Sequence, residues 1–107
     1  KKYQRVLVPV GIKIALPKGF AAFVTPRSGL ALKHGISVTN SPGLIDTDYR
    51  GEISVILENL NDLSFIIEPG MRVAQLVVLE LPKVNLIEVE DLDETARGEN
   101  GYGSTGY

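Results

Sequence analysis

No cysteine occurs in the 107 residues, so disulfides and thiolate metal sites are excluded, and an intracellular setting fits. Histidine occurs once, at His34, which leaves no His/Cys cluster for a metal centre and reads as a structural or surface side chain. Positive charge is not in excess: 11 Lys and Arg stand against 13 Asp and Glu, a net charge of −2 at pH 7. Broad nucleic-acid binders carry a marked basic excess, so that partner class is excluded. An anionic ligand must instead be met by a few placed arginines. No apolar run approaches the ~20 residues needed to span a bilayer, and no secretory signal opens the chain. No membrane partner and a cytoplasmic location are therefore expected. A nucleophile-elbow sequence is missing too, which sets aside covalent acyl chemistry.

What is present is β-forming. Hydrophobic residues make up 44% of the chain, enough for one small domain with a single core. Strand-length runs lie at 5–10, 11–16, 20–25, 52–59, 63–67 and 72–79. Between them stand Pro9-Val10-Gly11, Pro17-Lys18-Gly19, Asn61-Asp62 and Pro69-Gly70, all strong turn formers. Period-two alternation puts Ile53, Val55 and Leu57 on one face. Only Gly29–His34 has helical composition. Many short strands at this spacing predict an all-β fold, an antiparallel sandwich or jelly roll with one short helix. Residues 1–90 form that β domain, and 91–107 form a C-terminal arm. The last eleven residues hold four glycines and no aliphatic side chain, and are expected to be mobile when the protein is empty.

Four segments carry possible chemistry. In Asn40-Ser41-Pro42-Gly43-Leu44-Ile45-Asp46-Thr47-Asp48-Tyr49-Arg50-Gly51-Glu52, a Pro-Gly break leads to an acid and an aromatic three residues apart. Flanking strands would hold this segment as a rigid hairpin with Asp46 and Tyr49 beside a pocket. A carboxylate there can take a proton from water, and the ring can stack on a ligand. Asp46 is the better anchored acid and Asp48 the solvated one; taken alone, the segment is a hairpin with surface acids. Pro26-Arg27-Ser28-Gly29 offers a guanidinium, a hydroxyl and helix-start N–H groups that suit a phosphate. Alone, it reads as a turn capped by Ser28.

In the apolar strand 72–79, Arg72 and Gln75 fall on opposite faces. Gln75 must find partners, either a water or phosphate oxygen or neighbouring backbone. Arg72 calls for a structural ion pair. The tail offers Arg97, Tyr102, Gly103, Ser104 and Thr105 on a glycine-rich backbone whose N–H groups can approach phosphates. It reads as a folding lid or as a plain C-terminus.

Taken together, these segments resemble the trimeric dUTPase family. Four of its five ordered motifs stand in order: Pro26-Arg27-Ser28-Gly29-Leu30-Ala31, Gly43 to Glu52, Arg72-Val73-Ala74-Gln75-Leu76, and Arg97 to Gly106. The resemblance implies a jelly-roll homotrimer whose active sites are shared between subunits, and hydrolysis of dUTP to dUMP and pyrophosphate. It implies Asp46 as the general base for attack of water on the α-phosphorus. Tyr49 would pack on the deoxyribose and leave no room for a 2′-hydroxyl. Asn40 and the backbone of Gly43, Leu44, Ile45 and Asp46 would read the uracil edge. Arg27, Ser28, Gly29 and Gln75 would hold the phosphates, and Arg97, Gly103, Ser104 and Thr105 would close over the γ-phosphate with Tyr102 on the base. Mg²⁺ would be bound mainly through substrate phosphates and water.

Three departures accompany the resemblance. The family's first motif, of the form Ala-Gly-x-Asp-Leu, has no counterpart in the chain and is expected upstream of Lys1. Its Asp anchors the waters around Mg²⁺, so no metal-anchoring residue is named in this chain. Met71 stands where the family usually has Asp, which removes the expected ion pair of Arg72. Tyr102 and Asn100 replace a usual Phe and Gly. Two alternatives are a dCTP deaminase of the same fold and a non-catalytic nucleotide-binding module. The deaminase family places a catalytic Glu where Ile56 stands here, which counts against it.

Overall fold

Burial at every second position marks Ser54–Asn59, the central strand of one sheet. In the computed structural model, which describes residues 3–103, Val55, Leu57 and Asn59 are buried along one strand and alternate with half-buried neighbours. In chain order the elements are β1 (Arg5–Pro9), β2 (Phe20–Thr25), α1 (Ser28–His34), β3 (Ile36–Val38), β4 (Gly43–Ile45), β5 (Ser54–Asn59) and β6 (Gln75–Glu80). They form two three-stranded sheets, ordered β1-β5-β3 and β4-β2-β6, with all pairings antiparallel. The fold is thus all-β with one short helix, as the turn spacing predicts.

The core lies between the sheets. Val24 of β2 joins Ile36 and Val38 of β3, Val55 and Leu57 of β5, and Val73 in one buried cluster. Asn59 is the one buried polar side chain among the described residues, and its needs are met locally. Its Nδ2 donates to the Leu63 carbonyl at 2.9 Å, and its Oδ1 accepts from the Asn61 N–H at 2.9 Å. α1 ends at Gly35, whose φ of 65° forms a left-handed C-cap that a side chain would strain.

Three strand expectations are corrected. Residues 11–16 form no strand: Gly11 turns at φ 77°, and only the Ile53 N–H bond to the Ile12 carbonyl, 2.9 Å, continues the pairing with the neighbouring sheet. Residues 63–67 form none either. Phe65 and Ile67 lean on the core, but the segment has no ladder partner among the described residues. The run at 72–79 begins pairing only at Gln75.

The central segment is also not a hairpin. β4 pairs with β2, whereas β5 belongs to the other sheet, so 46–53 crosses from one sheet to the other. The reason is register: β2 accepts Gly43, Leu44 and Ile45 opposite Val24, Phe23 and Ala22, which leaves β5 free to pair with β1 and β3.

From Leu81 to Gly103 every residue is exposed and none lies in a regular element. The radius of gyration is 18.9 Å, against ~13 Å for a compact chain of about this length.

Candidate active site

The crossing between sheets is pinned by side-chain and backbone hydrogen bonds. Thr47 Oγ1 donates to the Phe20 carbonyl at the start of β2. The Tyr49 N–H donates to the Asp46 carbonyl at 3.1 Å, closing a tight turn around the acid. Arg50 Nη1 donates to the Thr47 carbonyl at 2.8 Å and to the Tyr49 carbonyl at 3.1 Å. Arg50 is therefore a brace of the loop. These bonds fix the spacing between Asp46 and Tyr49 without help from any ligand.

Asp46 and Tyr49 line one cleft of about 380 Å³, with Leu7, Leu44, Ile45, Glu52, Ile53 and Ser54. The sequence expectation that both flank a pocket holds in geometry. Asp46 is exposed, as Asp48 is, so both acids are solvated; only Asp46 lines this cleft. Tyr49 Oη donates to the Glu52 carbonyl at 2.8 Å, and the ring lies across Gly51.

A smaller hollow of about 70 Å³ adjoins it and is lined by Asn40, Gly43, Leu44 and Ile45, together with Ser54 and core residues. A Cβ at Gly43 would stand 3.2 Å from Asn40 Nδ2, so the absence of a side chain lets that amide lie against the β4 backbone. The hollow thus combines one side-chain amide with the edge of a strand, a donor and acceptor set suited to a flat heterocycle. The Ser41–Pro42 bond beside it is cis.

Arg27, Gly29 and Gln75 lie elsewhere. Arg27 and Gln75 share a cleft of about 250 Å³ with Arg72 and apolar core residues. Arg27, Gly29 and Arg72 also border one of about 290 Å³ with Lys33 and His34, in which no acid faces the cations. Gln75 Nε2 donates to the Pro26 carbonyl at 3.0 Å, which joins the fourth motif to the second. The register Thr25↔Gln75 explains that contact. Gln75 thus meets neighbouring backbone with one amide hydrogen, and the other remains.

Ser28 opens α1 and is exposed, but Arg27 rather than Ser28 is the N-cap, with no side-chain cap bond. Arg72 makes no ion pair among the described residues, consistent with Met71 beside it. It is also the residue that sequence reasoning left out of the site, since its place beside Arg27 depends on how 71–74 cross the core.

The arm stands apart. Arg97 is turned onto its own segment, with Nε donating to the Asn100 carbonyl at 2.6 Å and Nη2 to the Gly101 carbonyl at 3.0 Å. Tyr102 and Gly103 are exposed, and none of these residues lines the Asp46 cleft. Ser104 and Thr105 lie outside the described residues. One chain therefore brings together Asn40, Gly43–Asp46 and Tyr49, and separately Arg27, Gly29 and Gln75, without uniting the groups.

The dUTPase family model matches residues 1–106. The chain belongs to the dUTPase family. A deoxyuridine 5′-triphosphate nucleotidohydrolase of Fusobacterium nucleatum is 50% identical over 106 residues, covering 99% of this chain and 73% of that one. The enzyme of the same name from Chlamydia pneumoniae is 58% identical over 104 residues, covering 96% and 72%. Among solved structures, a mutant dUTPase from phage phi11 of S. aureus superposes with a TM-score of 0.76 at 21% identity, over 88% of this chain and 77% of that one. That likeness identifies the jelly-roll-like fold of dUTPases.

Proposed function

We propose that this dUTPase-family chain hydrolyses dUTP to dUMP and pyrophosphate with Asp46 as the general base. The Asp46 carboxylate takes a proton from a water as its oxygen attacks the α-phosphorus; the bond to the bridging oxygen breaks and pyrophosphate leaves. The observation that carries this reading is the shared cleft of Asp46 and Tyr49 on a loop braced by Thr47 and Arg50. A base held in place before substrate arrives loses little entropy on reaction.

The deoxyribose packs on the Tyr49 ring. The uracil edge meets Asn40 and the backbone of Gly43, Leu44, Ile45 and Asp46 in the adjoining hollow. Arg27, Ser28, Gly29 and the free amide hydrogen of Gln75 hold the phosphates. Arg97, Gly103, Ser104 and Thr105 of the arm, taken as residues 91–107, close over the γ-phosphate, with Tyr102 on the base.

Among the described residues no group of three or more His, Cys, Asp or Glu could hold a metal ion. Mg²⁺ is assigned to the substrate phosphates and water, and no step above runs through it. The phage phi11 dUTPase is described with a structural Mg(II) ion.

The active unit is a homotrimer with sites built from more than one subunit. Support comes from the separation of Arg27, Gln75 and the arm from the Asp46 cleft within one chain. It comes also from the apolar surface of β6 and the segment that follows it, where Leu79 is 50% and Leu86 95% exposed. Among the described residues no helix is long and apolar enough to cross a membrane, and we place the activity in the cytoplasm.

The test is pyrophosphate release from dUTP with Mg²⁺, run beside dCTP, dTTP and UTP. Release from dUTP alone supports the reading. Ammonia from dCTP would support the deaminase instead, and tight dUTP binding without release would support a binding module.

A further inference from the structure

We propose that Gly51 is a positioning residue that seats the Tyr49 ring, and through that ring governs discrimination against nucleotides bearing a 2′-hydroxyl. The inference rests on the reading of Tyr49 as the surface under the deoxyribose. Glycine is often required by backbone conformation, but not at this position. The described glycines with positive φ are Gly11, Gly19, Gly35, Gly70, Gly98 and Gly103, so Gly51 occupies a conformation open to other residues.

What it supplies is space. A Cβ built on Gly51 would lie 2.6 Å from Tyr49 Cζ and 3.0 Å from Cε1, and would collide with Oη as well. All three nearest atoms belong to the Tyr49 phenol. The next residue supplies the tether, because the Glu52 carbonyl accepts the Oη hydrogen at 2.8 Å. One residue thus leaves the void that the phenol fills, and its neighbour anchors the end of the phenol. The ring remains 45% exposed and lines the Asp46 cleft.

With any side chain at position 51, the ring must swing off its seat and give up the Glu52 carbonyl. The ring that excludes a 2′-hydroxyl is then displaced, while Asp46, held through the backbone of the loop, keeps its place.

The test compares kcat/KM for dUTP with that for UTP in the full chain and in Gly51→Ala, Tyr49→Leu and the double variant, with Tm recorded for each. Gly51→Ala is expected to reduce the preference for dUTP by at least about tenfold. The double variant is expected to lose no more preference than Tyr49→Leu alone, because both changes act on one ring. A preference unchanged in Gly51→Ala but collapsed in Tyr49→Leu would overturn the proposal and leave the reading of Tyr49 standing. An unchanged preference in Tyr49→Leu would overturn both. Where Gly51→Ala is too weakly active to assay, Tm decides. A loss of Tm that vanishes in the Tyr49→Leu background supports a steric seat; one that persists there overturns it.

Discussion

Replacing Asp46 by Asn removes the proton acceptor but keeps the size and hydrogen-bonding reach of the side chain. Asp46→Asn is therefore expected to lower kcat by about 10²–10⁴-fold, with nucleotide affinity almost unchanged. Single-turnover pyrophosphate release and equilibrium binding of a non-hydrolysable dUTP analogue separate the two quantities. An affinity that collapses with kcat would make Asp46 a binding or structural residue. At this scale much was legible, because the three-residue spacing of Asp46 and Tyr49 stands in the sequence and the tight turn at 46–49 makes it a shared cleft. The bracing by Arg50, the place of Arg72 beside Arg27 and the closeness of Gly51 to the Tyr49 ring were not legible, since each depends on where a neighbouring side chain or carbonyl comes to rest.

Among the elements, β5 carries the core and the 63–67 segment does not. Leu57 is 2% exposed at the centre of its sheet, and Leu57→Ala is expected to destabilise the fold by about 2–5 kcal/mol. Leu63 is 73% exposed in a run of similar composition, and Leu63→Ala is expected to change stability by no more than about 0.5 kcal/mol. Urea titration of both variants checks the contrast, and equal losses would contradict this assignment of the core. The two runs look alike in sequence because apolar content alone does not say whether a strand will find a ladder partner. The same blindness explains the central segment, whose turn signals suit a hairpin while its register with β2 carries it across to the other sheet.

For the whole molecule, β6 is decisive. Its six residues are all exposed, although Leu76, Val77, Val78 and Leu79 are apolar. In the proposed trimer another subunit covers this exposed apolar strand, and Val78→Glu would place a charge within the covered surface. Sedimentation of the unmodified chain is expected at three times the monomer mass, with Val78→Glu shifted to monomer and dUTP turnover lost together with assembly. A monomeric unmodified chain with full turnover would refute the shared-site trimer.

By itself the sequence determined the fold class, the short helix near 29–34 and the family. Those rest on local signals: turn residues, period-two alternation, and motifs whose chemistry is carried by contiguous residues. Tertiary structure alone decided which runs became strands, that β4 and β5 lie in different sheets, and that Gln75 reaches the Pro26 carbonyl. It also decided that Arg27 and Gln75 stand apart from Asp46 within one chain. Each of these depends on a partner distant in sequence, and side-chain pattern carries no record of which partner the backbone will find.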